Sequence, residues 1–408
     1  MKILIIGKVW VEPNSSAAGR RMKQLIELFR QRGEIHFACA NTSTGNEIDL
    51  AEIGVTTHQI ELNNDTVNDF FRELNPDIVV FDRFLTEEQY GWRIIEQCPD
   101  AIRILNTEDL HFLRKTRHQY VKKNNDFTVG TSILDFQNDE TMRELASILR
   151  SDFSIMISKV EMELLIKKFS VKEEQLLYLP ILAESKNVSY SGRDSFLFVG
   201  NILHEPNLDA VRILVREIWP RIRQRLQQAK LKIVGAYPTQ EVLQMNKPQE
   251  GIDIIAHPKE LESIYATAKV CLVPLRFGAG VKGKIIEAME YKVPFVTTSI
   301  GAEGLDLEQN FPDCIQDDWD AFTQKAVELF LSEEVNYPFE KQLKQYHDPT
   351  VYPQYFLNQL DSALSNFQAF RNSNFIARVL QHHTLMSTRY LSKWIMEKEG
   401  KRSDKNNA

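Results

Sequence analysis

Three glycines (Gly278, Gly280, Gly283) and two lysines (Lys282, Lys284) lie between an apolar run ending at Leu275 and a segment with helical spacing. Glycines let backbone N–H groups approach an anion closely, a helix N-terminus adds partial positive charge, and the lysines add full charges. The chemistry suits a phosphate-bearing ligand. Glu287, one turn inside the helix, is placed to accept hydrogen bonds from that ligand's hydroxyls. The helical period puts Ile285, Ile286, Ala288 and Met289 on one face and Lys284, Glu287 and Tyr291 on the other. That second face is either solvated, with Lys284 and Glu287 paired, or turned into a cleft.

Other strand-to-helix loops offer further groups. Ser299–Leu305 holds Gly301 and Glu303, which serve either turn geometry or the same crevice. Gly200 and Asn201 follow a strand and precede His204-Glu205-Pro206-Asn207, where Asn207 reads as a helix cap. In the first half, Gly7 and the small-residue loop Asn14–Arg21 precede a helix, with Gly19 and Arg20 inside the loop. The pattern is not Gly-x-Gly-x-x-Gly, which disfavours a nicotinamide dinucleotide. Asp109 and His111 end another strand as candidate acid–base groups, although a lone histidine is more often structural. Asp317-Asp318-Trp319-Asp320 could hold a metal, but a capped helix start is the simpler reading.

The elements that must position these groups alternate short apolar runs with amphipathic segments, as in an α/β protein with helices on both faces of parallel sheets. Strands are expected at Ile3–Ile6, Phe37–Ala40, Asp77–Phe81, Ile102–Leu105, Phe153–Ile157 and Leu176–Leu179. A second series runs through Phe196–Gly200, Leu231–Val234, Ile252–Ile255, Val270–Leu275 and Pro294–Thr298. Helical spacing appears at Met22, Leu25, Ile26 and Phe29, and again at Met162, Leu165, Ile166 and Phe169. The polar stretch Glu184–Asp194 reads as a linker between domains at 1–184 and 195–335. Residues 336–408 read as helical, with one helix marked by Phe356, Leu360, Leu364 and Phe367, another at Ile376–Ile395, and a disordered tail from Lys398.

A net charge of −7 disfavours nucleic acid as a bulk electrostatic partner. The cysteines (Cys39, Cys98, Cys271 and Cys314) are widely spaced and read as reduced thiols. The N-terminus reads as a buried strand rather than a signal sequence, and no apolar run reaches the ~20 residues that span a bilayer. The expected location is the cytoplasm. Arg20-Arg21 and Arg221–Arg225 are candidates for peripheral membrane contact, with solvated helix faces the alternative.

Phe198-Val199-Gly200, Trp219-Pro220, Leu231–Gly235, Val273–Gly280, Glu287-Ala288-Met289, Pro294–Thr298 and Gly301–Gly304 occur in that order. As an ordered set they resemble the retaining glycosyltransferases of family 4, which have the two-Rossmann GT-B fold. The resemblance covers most of Phe196–Leu307, while the first half resembles the family only in its first strand, small-residue loop and overall order. It implies that the second domain binds a nucleotide-diphosphate sugar, with no further cofactor, and that Glu287 holds the ribose hydroxyls. Ala279 stands where the family carries a donor-sugar glutamate, and Asn201 and Asn207 fall near a usual phosphate-binding Arg and Lys. Lys282 and Lys284 are cationic where that motif is usually uncharged, and they are expected to supply the diphosphate's counter-charge from this loop instead, without a metal. Gly200, Asn201, Gly278, Ala279, Gly280, Gly301 and Glu303 would line the donor site with Glu287. Gly19, Arg20, Asp109 and His111 would face a glycan or lipid-linked acceptor. A nucleotide-sugar epimerase of the same fold and a catalytically silent partner subunit are the alternatives.

Overall fold

The computed structural model describes residues 1–15, 17–124, 126, 134–187, 192–256, 261–333 and 336–406. Its first sheet comprises β1 (Lys2–Gly7), β2 (Glu34–Cys39), β3 (Thr56–Gln59), β4 (Ile78–Asp82), β5 (Ile102–Asn106), β6 (Phe153–Met156) and β7 (Leu176–Tyr178). The order is β3-β2-β1-β4-β5-β6-β7 and every pairing is parallel. β4 is buried along its whole length, and β1 everywhere but Lys2. Helices cover both faces, which is why these strands read as continuous Ile and Val runs rather than as an alternation. β3 was not expected from the sequence: Thr-Thr-His-Gln at a sheet edge carries no apolar signal.

The second sheet comprises β8 (Ser195–Val199), β9 (Lys230–Gly235), β10 (Ile252–Ala256), β11 (Ala268–Val273) and β12 (Phe295–Thr297), in the order β10-β9-β8-β11-β12 and again parallel. Each sheet reverses its winding at one place, between β1 and β4 in the first and between β8 and β11 in the second. Crevices open beyond the carboxyl ends of strands at such reversals.

The C-terminal segment divides between the sheets. The helix Phe339–Tyr346 buries Phe339 and Leu343 in the core of the second. The helix Tyr352–Ser373 buries Phe356, Leu357 and Leu360 against Leu25 and Phe29 of the first. The chain thus passes between domains twice, near 179–187 and near 347–351. The crossings are bonded to each other: His347 Nδ1 lies 2.9 Å from the Ile181 carbonyl, and the Ala183 N–H donates to the His347 carbonyl at 2.9 Å.

The structure places several of the expected features. The polar linker is held against the second domain, with Lys186 donating to Glu290 O and Tyr291 Oη, and Arg193 to the Tyr291 and Lys292 carbonyls; Val188–Ser191 lie outside the described residues, as does Ser16 of the small-residue loop. The segment from Lys398, expected to be disordered, continues the helix Phe375–Asn406, and only Asn407 and Ala408 lie outside the description. Asn207 is not a cap: His204 occupies the N-cap position of the helix Glu205–Ile213 without a side-chain capping bond, and Asn207 lies inside the first turn. Asp318 does cap the helix Trp319–Leu331, accepting from the N–H groups of Asp320 and Ala321. All four cysteines are buried and free.

Candidate functional site

The chain leaves β11 through Pro274–Val281 and enters the helix Gly283–Glu290. Gly280 takes φ +64°, and a Cβ there would come within 2.7 Å of the Asp109 Cβ in the first domain. Only glycine fits both constraints, and the glycine turn is thereby pressed onto the end of β5. Two first-domain side chains hold it there. Glu161 Oε1 accepts from the Gly280 N–H at 2.7 Å, and the fully buried Arg117 donates to the Gly278 carbonyl at 2.7 Å. Arg117 also forms a two-pronged pair with Glu303, at 2.8 and 2.6 Å. Burial alone would raise the Glu303 carboxyl; Arg117 and Lys282 hold it below its usual range.

The two lysines play different parts. Lys282 is buried and donates to the Gly280 carbonyl at 2.8 Å, so it braces the turn from within. Lys284 reaches across the switch crevice, with its ammonium 2.5 Å from Asn207 Oδ1 and 4.3 Å from the centre of the Phe198 ring. Burial pulls its pKa down to about 7. Lys284 and Glu287 are both half-buried, which rules out a solvated face. Glu287 accepts from the Tyr265 hydroxyl at 2.9 Å, and burial raises its carboxyl while the charge of Arg20 opposes the rise.

Gly200 and Asn201 stand at the carboxyl end of β8, where Asn201 O accepts from Asn207 Nδ2 at 2.8 Å. Ala279 is partly buried against the apolar cluster of the first domain. Gly301 is buried in the short helix Ser299–Ala302, where its N–H donates to Thr298 Oγ1 and a Cβ would come within 1.9 Å of Thr297 Oγ1, so close packing accounts for the glycine.

On the first-domain side, Asp109 pairs with Arg114 and lies 3.5 Å from His111 Nε2. Against burial, which would raise it, Arg114 and His111 keep the Asp109 carboxyl below the usual range. Burial pushes His111 down to about 3, so its imidazole is neutral. Lys8, Asp82 and Arg83 adjoin this pair at the β1–β4 reversal. Arg83 and Glu108 both adopt left-handed backbone, at φ 71° and 61°; such strain gathers where side chains are aimed for function. His204 of the second domain lies within the electrostatic reach of Asp109, Arg114 and Lys284, so both switch crevices open onto one place.

Two candidates move. Arg20, expected at the acceptor, forms a two-pronged pair with Glu290 of the donor helix at 2.7 and 2.5 Å. Gly19 lies in the first turn of the helix Ala17–Phe29, where a Cβ would overlap the Glu12 carbonyl, so close packing requires the glycine. Arg117, Glu161, Tyr265 and Glu290 were not legible as site residues, because each acts on a segment remote in sequence. Only Glu290 carried a hint, one turn after Glu287 on the same helix.

Residues 193–332 match the family model described as glycosyl transferases group 1. An uncharacterized 44.6 kDa protein in the cps region of Klebsiella pneumoniae is 32% identical over 115 residues, 26% of this chain and 30% of that protein. The match thus spans less than a third of that relative. Among solved structures, sucrose-phosphate synthase from Thermosynechococcus elongatus is similar with TM-score 0.62 and 14% identity, over 90% of this chain and all of the other. HepE from Anabaena, solved with UDP and glucose, is similar with TM-score 0.61 and 12% identity, over 89% of this chain and all of the other. These likenesses cover both domains, and the fold is GT-B.

Proposed function

We propose that this chain, whose residues 193–332 form a domain of the glycosyl transferases group 1 family, is a glycosyltransferase. It moves a sugar from a nucleotide diphosphate to a glycan or lipid-linked acceptor, with retention and without a metal. The observation that carries this reading is the convergence of the two switch crevices: the Gly280 turn meets Asp109 across the domain seam, and His204 lies within electrostatic reach of both Lys284 and the Asp109–Arg114 pair.

In this reading Glu287 holds the ribose and Lys284 faces the diphosphate, leaving Asn207 for a phosphate oxygen. Charge-assisted bonds of this kind are about twice as strong as neutral ones. Lys282 does not touch the donor; it fixes the turn whose remaining backbone N–H groups do, the Gly280 N–H being held by Glu161. The departing diphosphate, stabilised by these groups, helps take the acceptor proton, and the chain's part is electrostatic stabilisation and alignment. Arg117 ties up the Glu303 carboxylate in a two-pronged pair, and Ala279 puts no carboxylate where the family's donor-sugar glutamate stands.

The test is calorimetric binding of UDP, GDP, ADP and TDP to the wild type and to Glu287→Ala. One diphosphate should bind selectively. The substitution should weaken it roughly 10- to 100-fold, the loss expected for hydrogen bonds to a charged group. Transfer with the matching sugar nucleotide should then persist in EDTA. Failure of every diphosphate to bind would sink the donor site and favour a silent partner subunit.

A further inference from the structure

The helix Phe375–Asn406 faces the opposite way from a helix recruited to a core. It lies against the helices Arg83–Gln97 and Asp139–Arg150 through small and polar groups. Ala377 is buried, Gln381 Nε2 donates to the Arg150 carbonyl at 3.0 Å, Ser392 lies between Arg93 and Asn63, and Arg389 pairs with Glu96 at 2.6 Å. Leu380, Ile395 and Met396 are half-buried, with Met396 against Arg93, but most of its large apolar side chains are exposed. Phe375, Val379, Met386, Tyr390 and Trp394 follow one another at intervals of four, seven, four and four, so they share a face. Phe375, Tyr390 and Trp394 are 71, 60 and 58% exposed. A face of this size left in water marks an interaction site.

Charge decides between occupants. The helix carries seven lysines and arginines against three acidic residues, net +4, in a chain whose net charge is −7. Lys393 and Lys398 are exposed beside the stripe, with Lys398 Nζ 4.7 Å from the centre of the Trp394 ring. A second copy would set +4 against +4. An anionic bilayer meets both the charge and the apolar stripe, and interfacial aromatics with flanking cations are what such a surface selects. No described helix is long and apolar enough to cross a membrane. The basic segments first considered for this role are engaged elsewhere: Arg21 donates to the Leu179 and Pro180 carbonyls, and Arg225 to Gln324. We propose that Phe375–Asn406 is a surface anchor that lies flat on anionic lipid, with Tyr390 and Trp394 inserted at headgroup depth. The inference does not depend on the donor-site reading.

Its test is cosedimentation of the full chain with vesicles of phosphatidylcholine alone or mixed with phosphatidylglycerol. Binding is expected only to the mixed vesicles, and it should fall as salt screens the lysines. Tyr390→Ser/Trp394→Ser should lower the affinity at least tenfold with an unchanged thermal midpoint, since both side chains are exposed. Lys393→Glu/Lys398→Glu should remove the preference for anionic lipid. Equal binding by the serine variant, or none by the wild type, would overturn the proposal. A concentration-dependent dimer in sedimentation velocity, dissolved by the serine substitutions and without vesicle binding, would assign the stripe to a second copy instead.

Discussion

Lys284 titrates where the chemistry needs it. Burial lowers its pKa from 10.5 to about 7, so around neutrality part of the free protein lacks the charge a diphosphate requires. A bound diphosphate restores the proton. Affinity should therefore be highest below pH 7 and fall as pH rises through it, with proton uptake on binding seen by calorimetry in buffers of different ionisation enthalpy. Lys284→Met should flatten that profile. The stability effect has the opposite sense: between pH 7 and 10.5 the unfolded chain binds the proton and the native chain does not, so this group's contribution rises with pH. Lys284 and Glu287 could be picked out of the sequence from residue type and spacing. Their surroundings could not. A helical period gives two faces and cannot say that Asn207, 77 residues away, meets one of them.

At the scale of elements, the strands of both central sheets were legible because burial on two faces forces unbroken apolar runs. β3 was not, since an edge strand of polar residues leaves no such trace. The outward apolar face of Phe375–Asn406 was equally hidden, because the same stripe would suit packing on a core. The glycine turn is the element most sensitive to change. Gly280→Ala must adopt left-handed backbone and meet Asp109, and it should lose roughly 1–3 kcal/mol, read as a lower thermal midpoint. Arg117→Met leaves Glu303 mostly buried without its partner, a loss of about 3–5 kcal/mol. Adding Glu303→Gln should return much of it, which a double-mutant cycle would measure.

For the whole molecule, Glu161 at the seam between domains should make closure depend on pH. Burial, together with the nearby Asp109 charge, raises its pKa from 4.5 to about 7. The closed form therefore holds a proton that an open, solvated carboxylate gives up above pH 4.5. The stabilisation it adds to closure is fully present below 4.5 and is lost as pH rises through 7. Solution scattering should show the radius of gyration increasing between pH 6 and 8, and Glu161→Gln should abolish the change. An unchanged radius in the wild type would remove Glu161 from control of the cleft.

The paired crossings at 179–187 and 347–351 bear on how such opening can occur. Two strands of chain bonded side by side act as the pin of a door: sliding or twisting the domains apart would tear the His347 and Ala183 bonds, whereas swinging about that line spares them. The donor turn would then travel on an arc, leaving and meeting Asp109 along one path. A single protease cut in either crossing should leave the halves associated and still swinging, held by the other.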